Sequence, residues 1–349
     1  MVDTLQYPVY AQDIEIIVKE ALKKGSGPEE FGSIFIWGKP GIGKSQIISQ
    51  IAEKEKVGLL DLRLTLCDST DLRGIPIPIQ IDDEMSAKWV APNEFPRSGR
   101  GIMFLDDFPT APPLVQAAAY QLTITPHRLG EYQLPNGWII VAAGNTLKDR
   151  SLAHRMPKAL ANRFTHLYME ADSDMWVEWA IKKGIHPAVI AFIKFKPNYL
   201  HKFDPTTDDD AFPTPRSWEM VSKSIYTFND KKILETLING QIGQGTALEF
   251  NHFFKIQDKL PNLDSIFEGR DFVPPDSDPG LSYSLITALA LKANSNQFNR
   301  LIEYSMLYPA EFAVLMVKML CSRDTDSVLT AKSIGIWMSK YPELTDIKI

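Results

Sequence analysis

The sequence predicts an α/β fold in which a mainly parallel sheet is followed by a region of helices. Two observations indicate this class. In the first half of the chain, short apolar or β-branched runs alternate with amphipathic helical patterns, which is typical of parallel strands covered by helices on both faces. After about residue 172 the strand patterns stop, and helical patterns continue between proline- and glycine-rich breaks.

The predicted strands are short runs of apolar and β-branched residues. They cover residues 34–37, 60–66, 102–105, 138–144 and 166–169. The first strand is followed by an amphipathic pattern over residues 46–56, which predicts a helix. The helix that opens the second region has acids in its first turn and ends at Lys182, Lys183 and Gly184, so both of its ends are well marked.

Composition indicates an ordinary folded chain, and no membrane span is expected. Its 349 residues suit more than one domain, with 44% hydrophobic and 23% charged residues. No stretch approaches the roughly 20 apolar residues of a membrane helix, and the N-terminus lacks the pattern of a signal peptide. Cys67 and Cys321 lack metal-ligand spacing, so we expect reduced thiols in a cytoplasmic protein. The net charge of −6 argues against wholesale binding to nucleic acid.

The segment GKPGIGKS, directly after the first predicted strand, matches the phosphate-loop pattern G-x-x-x-x-G-K-[ST]. Its residues are Gly38, Lys39, Pro40, Gly41, Ile42, Gly43, Lys44 and Ser45. Glycines allow successive backbone N–H groups to curl around phosphate oxygens, and the following helix adds its positive end. We predict that Lys44 reaches the β- and γ-phosphates of a nucleotide and that the Ser45 hydroxyl binds Mg²⁺. The alternative, a glycine-rich turn without a ligand, is disfavoured by the flanking strand and helix.

Two adjacent acids, Asp106 and Asp107, follow the apolar run at residues 102–105. A phosphate-loop protein needs a carboxylate at the end of a neighbouring strand to hold Mg²⁺, and Asp106 fits this role. Asp107 then stands where a hydrolysing enzyme keeps the base that orients water. An Asp pair at a strand end can also be a solvated turn or a helix cap, but the phosphate loop favours the catalytic interpretation. An aspartate carboxylate sits roughly 1.5 Å further back than that of a glutamate, so slow hydrolysis is predicted.

Taken in order, these segments resemble those of the AAA+ ATPases. GKPGIGKS looks like the Walker A segment, IMFLDD like Walker B, and AAGN ends in Asn145, which is similar to the sensor-1 asparagine. MPKALANRF resembles the helix end that carries the arginine finger, with Arg163 at the finger position. FPTPRSW resembles the sensor-2 segment, with Arg216 at its arginine. The resemblance covers the first half of the chain and extends more weakly to its end.

Two further segments resemble the MoxR-like branch of this family. CDSTDLRGIPIPIQIDDEMSAKWVAP is similar to the helix-2 insert, over about residues 70–98, and its alternation around Asp82 and Asp83 suits a hairpin. DFPTAPPLVQAAAYQLTITPHRLGEYQLPNGW resembles the Walker B exit with its helix and a hairpin at about residues 123–138. In the family the second Walker B acid is usually Glu. Asp107 is therefore a departure that bears on the hydrolysis rate more than on nucleotide binding.

The polar residues of these segments also have simpler interpretations. Asn145 alone would be a turn residue. Arg163 alone would be a surface charge or an ion-pair partner, and Arg216 could cap the helix that it opens. Arg155 is a rival for the finger position, although we prefer Arg163. The ordered set of segments favours the catalytic roles.

The resemblance implies a domain organisation and a mechanism. It implies an AAA+ core with a parallel five-stranded sheet over residues 1–172, an α-helical lid over residues 173–260 and a helical region over residues 261–349. It also implies ATP and Mg²⁺ as cofactors and a homo-oligomeric ring, commonly a hexamer, in which Arg163 serves the ATP of the neighbouring subunit. Arg216 would approach the γ-phosphate as the lid closes.

The resemblance further implies that the ring remodels or activates a protein partner, often one with a von Willebrand factor A-like domain. Three other functions stay open. A nucleic-acid motor or loader would need basic loops, and the hairpin at residues 123–138 offers His127 and Arg128 but also Glu131. An ATP-dependent scaffold with slow or no hydrolysis would follow if Asp107 is too short to position water. A small-molecule kinase would leave the sensor and finger segments unexplained.

Overall fold

The computed structural model describes residues 7–24, 32–81, 84–124, 126–146, 156–207, 209–270, 272–274 and 278–342. Arg155, Asp82 and Asp83, which carried predictions, lie outside the described residues. The chain divides into two compact units, Met1–Ala171 and Asp172–Ile349. Where the chain is described, no helix has the length and apolar character needed to cross a membrane. Cys67 and Cys321 are both free and half-buried.

The first unit is built on a parallel sheet with six strands among the described residues. In chain order these are β1 Pro8–Val9, β2 Ser33–Trp37, β3 Gly58–Arg63, β6 Gly101–Asp106, β9 Trp138–Gly144 and β10 Phe164–Met169. Their order across the sheet is β1-β10-β2-β9-β6-β3, and every neighbouring pair is parallel. The predicted α/β class is confirmed, but the sheet has six strands instead of the expected five. The additional strand β1 has two residues, too few for a periodic sequence pattern.

The burial of two neighbouring interior strands of the sheet explains their apolar sequences. Every residue of β6 and of β9 is buried, as expected for parallel strands covered on both faces. The predicted strand at residues 60–66 ends earlier, at Arg63, because Arg63 pairs with Asp106, the last residue of β6. Residues 64–66 form a helical turn instead.

Helices of the first unit cover both faces of the sheet. They are α1 Ala11–Lys24, α2 Lys44–Glu55, α3 Ser69–Arg73, α4 Pro113–Leu122 and α5 Lys158–Ala161. One buried cluster joins the sheet to α1 and α2 through residues such as Ile14, Ile48 and Phe104. The other joins it to α4 and α5 through residues such as Phe35 and Leu160.

Two hairpins extend from this unit. β4 Ile75–Ile81 pairs antiparallel with β5 Glu84–Val90, inside the predicted insert at residues 70–98. β7 Arg128–Leu129 pairs antiparallel with β8 Tyr132–Gln133, inside the segment at residues 123–138. Nearly all described residues of the first hairpin are exposed, although many of them are apolar.

The described residues of the second unit form helices and no strand. The helices are α6 Ser173–Lys183, α7 Pro187–Phe195, α8 Pro215–Thr227, α9 Lys231–Ile242, α10 Gln244–Phe254, α11 Leu263–Phe267, α12 Pro279–Lys292, α13 Phe298–Ser305, α14 Ala310–Arg323, α15 Thr325–Leu329 and α16 Ile334–Lys340. Buried aromatic rings join three of them, with Phe192 of α7 centred 5.4 Å from Trp218 of α8 and 5.3 Å from Phe250 of α10. The separation of this unit into a lid and a C-terminal region at residue 260 stays a prediction.

Candidate nucleotide site

The predicted phosphate loop connects the end of β2 with the start of α2. Gly41 and Gly43 have φ angles of 73° and 106°, a left-handed backbone that glycine adopts without strain. A Cβ atom at Gly38 would lie 3.2 Å from the Met169 carbonyl oxygen and 3.3 Å from Ile42 Cγ2. Side chains at these positions would therefore disturb the loop. The glycines leave a narrow backbone turn at the amino end of a helix, which is favourable for binding an anion.

Lys44 is held inside this loop by its ammonium group. Its side chain is buried, and Nζ donates hydrogen bonds to the carbonyl oxygens of Gly38 (2.7 Å) and Lys39 (3.2 Å). Nζ also donates to Asn145 Oδ1 at 2.8 Å. A buried ammonium group needs such acceptors because its desolvation is otherwise unfavourable. The loop lysine and the asparagine after β9 thus meet at one point, 101 positions apart in the sequence.

Ser45 and Asp106 form the second contact of the site. Ser45 Oγ donates to Asp106 Oδ2 at 2.6 Å, and the other carboxylate oxygen of Asp106 accepts from the backbone N–H of Asp107 at 2.9 Å. Asp106 is buried at the carboxyl end of β6. A hydroxyl and a carboxylate are hard oxygen ligands, and Mg²⁺ in nucleotide sites uses one or two carboxylates together with phosphates and waters. This pair therefore fits a magnesium ion bound with a nucleotide.

Asp107 begins the turn that leaves β6. Its backbone is left-handed, with φ 54° and ψ 31°, a conformation that Asp and Asn tolerate better than most residues. The Asp107 carbonyl oxygen accepts hydrogen bonds from the Thr110 hydroxyl (2.8 Å) and the Thr110 backbone N–H (3.1 Å). The turn then leads into α4, which begins at Pro113.

The negative charge at this edge of the sheet includes a residue that the sequence did not point to. Asp61 of β3 has a raised pKa, first because of partial desolvation and then because of the charges of Asp106 and Asp107. The charge of Arg63 acts in the opposite direction. Asp61 had no signal in the sequence because its proximity to Asp106 arises from the pairing of β3 with β6.

Asn145 is positioned by the tight packing at the end of β9. A Cβ atom at the preceding Gly144 would lie 2.2 Å from Pro109 Cδ, so only glycine allows this approach. Gly144 also accepts a hydrogen bond from the Gly38 backbone N–H at 3.2 Å. The loop, the asparagine and the turn after Asp107 therefore pack against one another.

Arg163 lies against α4. Its guanidinium carbon is 5.6 Å from the centre of the Tyr120 ring, and Nε is 3.4 Å from the Tyr120 hydroxyl. The arginine is exposed, and it follows the short helix α5. The sequence did not single out Tyr120, because no local pattern relates two residues 43 positions apart.

A histidine ties the backbone near Arg163 to the strand before the loop. Nδ1 of His166 accepts from the Trp37 indole N–H at 2.8 Å. Because an indole nitrogen can only donate, the proton of the ring lies on Nε2, which donates to the Ala161 carbonyl at 2.8 Å. Neutral His166 thereby connects Trp37, the residue before Gly38, with α5.

Arg216 belongs to the second unit, where it is the second residue of α8. It is exposed, and the cap of this helix is Thr214, whose hydroxyl accepts from the Ser217 backbone N–H at 3.0 Å. The Ser217 hydroxyl lies 2.7 Å from the Thr214 backbone nitrogen, which completes a reciprocal capping box. Thr214 and Ser217 thus cap this helix, and Arg216 is not needed as its cap.

Comparisons with known proteins give a likeness to solved structures alone. No family model matches the sequence, and no curated protein matches it. The RuvB Holliday junction branch migration motor of Thermotoga maritima is 14% identical, with 74% of this chain and 74% of that chain covered and a TM-score of 0.39. NtrX from Brucella abortus, in complex with ATP, is 15% identical, with 98% of this chain and 69% of that chain covered and a TM-score of 0.38. At such low identities and TM-scores, the likeness carries nothing about the activity of this chain.

Proposed function

We propose that this chain is an ATP-hydrolysing AAA+ ATPase of the MoxR-like type. The observation that carries the proposal is the meeting of the phosphate loop with two neighbouring strand ends. Lys44 contacts Asn145 after β9, and Ser45 contacts Asp106 at the end of β6. Four residues of the types that bind a nucleoside triphosphate and contact its γ-phosphate are thus brought together from three separate segments of the chain.

ATP would occupy the loop with its phosphates at the amino end of α2. The bonds from Lys44 Nζ to the Gly38 and Lys39 carbonyl oxygens are ones that phosphate oxygens can replace, and a phosphate would offer the ammonium group a full negative charge. Ser45 and Asp106 would hold Mg²⁺. When bound there, the ion would supply positive charge close to the phosphates.

Hydrolysis would depend on Asp107 and Asn145. Asp107 would accept a hydrogen bond from the attacking water and orient it toward the γ-phosphorus, while Asn145 would donate to the γ-phosphate through its amide NH₂ group. In the structure the amide oxygen of Asn145 already faces Lys44, which fixes its orientation. Because the aspartate side chain is shorter than that of glutamate, we still expect slow turnover.

The remaining roles need a neighbouring subunit or a closing lid. We propose a homo-oligomeric ring of six subunits, the number that the family resemblance implies, in which Arg163 reaches the ATP of the adjacent subunit. Its exposure in the single chain supports a role outside that chain. Arg216 would sense the γ-phosphate from the helical lid. The ring would act in the cytoplasm as a chaperone for a protein partner, and a von Willebrand factor A-like protein is the partner class that we propose.

A second candidate, an ATP-dependent scaffold, is favoured by one observation. Asp107 combines a short carboxylate with a left-handed backbone, so it directs its side chain differently from a residue that continues the strand. In this case the protein would bind ATP and assemble without appreciable turnover. Ring assembly with ATP but without release of phosphate would identify it.

The decisive experiment compares steady-state release of phosphate by the wild type, Lys44→Ala and Lys54→Ala. Lys54 lies on the same helix α2, is exposed and pairs on the surface with Glu15, so its loss should leave turnover unchanged. Lys44→Ala should abolish both ATP binding and turnover. Wild-type turnover equal to that of Lys44→Ala would refute the ATPase. If the wild type then still binds ATP, the result would indicate the scaffold.

A further inference from the structure

We infer that Tyr120 is a positioning residue for Arg163, which it holds for use in the ATP site of a neighbouring subunit. The inference rests on the proposed function, and it adds Tyr120 to the residues that act in ATP hydrolysis. The observation behind it is that one side chain contacts Arg163 in two ways. The Tyr120 ring lies under the guanidinium group, and the hydroxyl accepts from Nε.

Tyr120 is suited to this role because it is itself anchored. It is half-buried on α4, and its ring packs against the buried cluster that includes Phe108, Phe164 and Leu160. An aromatic ring has two side-chain torsions, and packing restricts both. The exposed arginine has many more rotamers, and contact with the immobilised ring and hydroxyl restricts them before any nucleotide is reached. Less side-chain entropy is then lost when Arg163 reaches the nucleotide.

The backbone of the arginine is held separately from its side chain. The His166 ring donates to the Ala161 carbonyl, which lies two residues before Arg163. The Arg163 backbone N–H donates to the Leu160 carbonyl at 3.0 Å. These bonds place the Cα atom of Arg163, but they do not orient its guanidinium group. Tyr120 supplies that orientation.

Helix α4 also connects Tyr120 with the site of its own chain. The helix begins at Pro113, a few residues after Asp107, and its first residues follow the turn that Asp107 caps through Thr110. A rotation or shift of this helix would therefore move the ring beneath Arg163.

A second arginine–tyrosine pair in the same unit provides a matched control. Arg97 stacks on Tyr132 at the same 5.6 Å separation. Arg97 Nη2 donates to the backbone carbonyl of Pro92 at 3.3 Å, and the Tyr132 hydroxyl donates to the Pro96 carbonyl at 3.0 Å. The pair of Arg97 and Tyr132 thus stabilises a loop locally. Arg97→Ala should leave ATP turnover unchanged, whereas Arg163→Ala should lower it.

The first test measures ATP turnover and thermal stability for Tyr120→Phe, Tyr120→Leu and Arg163→Ala in the full chain. Tyr120→Leu keeps an apolar side chain in the core but removes the ring, and we expect kcat to fall with KM unchanged. The fall should lie between about twofold, from loss of a cation–π contact, and about 10²-fold, from a misplacement of about 1 Å. Tyr120→Phe keeps the ring and should recover most of the loss. In the Arg163→Ala background, Tyr120→Leu should have no further effect.

The second test separates a role in the neighbouring site from a structural one. Wild-type subunits are mixed with an excess of Lys44→Ala subunits, which have no working site of their own but retain Arg163 and Tyr120. A parallel mixture contains an excess of the Lys44→Ala, Tyr120→Leu double variant. Turnover by the wild-type sites should be lower in the second mixture. A general loss of folding would be visible as a lower Tm of the double variant alone.

Three results would overturn the inference, and they are distinguishable. Equal turnover in the two mixtures would show that Tyr120 has no role in the neighbouring ATP site, and the proposed ATPase would still stand. Normal turnover by Arg163→Ala would show that there is no finger at Arg163 to position. Wild-type turnover equal to that of Lys44→Ala would refute the proposed ATPase and this inference together.

Discussion

Substitutions at Asp107 should affect stability and activity differently, because its backbone conformation and its carboxylate have separate roles. Its backbone is left-handed, with φ 54° and ψ 31°. We predict that Asp107→Gly is more stable than Asp107→Ala, although both variants remove the carboxylate. Any contact of the Asp107 side chain is lost equally in the two variants, so the difference between them reports the backbone alone.

The magnitude follows from two opposing effects. An alanine in the left-handed region is disfavoured by about 1–2 kcal/mol because its Cβ approaches the carbonyl oxygen. Glycine avoids this strain but loses about 0.5–1 kcal/mol through the greater freedom of its unfolded chain. The glycine variant should therefore unfold with a free energy about 1 kcal/mol higher. For a unit of the length of Met1–Ala171 this corresponds to a Tm difference of roughly 2–4 °C.

The assay is calorimetric unfolding of the full chain, with steady-state ATP turnover measured on the same preparations. Asp107→Asn completes the series, because Asn also tolerates the left-handed region and matches Asp in shape. All three variants should lose turnover. Lys56 is a suitable control, since it is exposed with φ 54° at the end of α2, and its glycine and alanine variants should differ by a similar amount. Equal stability of Asp107→Gly and Asp107→Ala would refute the reasoning.

Three further predictions concern stability. Burial lowers the pKa of His186 to about 4 from its ordinary 6.5, so the unfolded chain binds the proton first, and the second unit should lose on the order of 3 kcal/mol as the pH falls from about 6.5 to 4. His186→Asn keeps a capping side chain and should flatten this dependence in denaturant titrations; an unchanged slope would contradict it. Gly144→Ala should destabilise the first unit by about 1–3 kcal/mol because its Cβ would overlap Pro109, whereas Gly240→Ala, in open space on a helix, should be neutral or stabilising in thermal unfolding. Thr214→Ala should lower the unfolding free energy by about 1 kcal/mol and the serine variant should not; equal losses would exclude the capping box.

Local features of the site could be predicted from the sequence. The phosphate loop has fixed spacing between its glycines and Lys44, and the strand before it and the helix after it follow hydrophobic periodicity. The α/β class depended on signals of the same local kind. Asp106 could be assigned to the end of its strand because apolar residues precede it without interruption.

Features that depend on pairing between distant segments could not be predicted. The contact of Arg163 with Tyr120 and the bond of Trp37 to His166, which spans 129 positions, have no counterpart in a sequence pattern. The strand predicted to reach residue 66 ends at Arg63 because its partner strand ends there. The left-handed backbone of Asp107 likewise results from the turn that follows β6.

The exposed β4–β5 hairpin has a consequence for the solubility of the protein. Pro76 and Pro78 lack N–H donors, so the ladder keeps its hydrogen bonds only if both prolines occupy the non-hydrogen-bonded pairs, with their nitrogen atoms directed away from β5. The outer edge of β4 then offers carbonyl oxygens but lacks two of the donors that a further strand would need. An apolar ribbon such as this one is ordinarily a template for edge-to-edge aggregation, and prolines on an edge strand disfavour pairing along that edge. The two prolines therefore disfavour the pairing of another chain along the β4 edge, where isoleucine side chains are exposed to water.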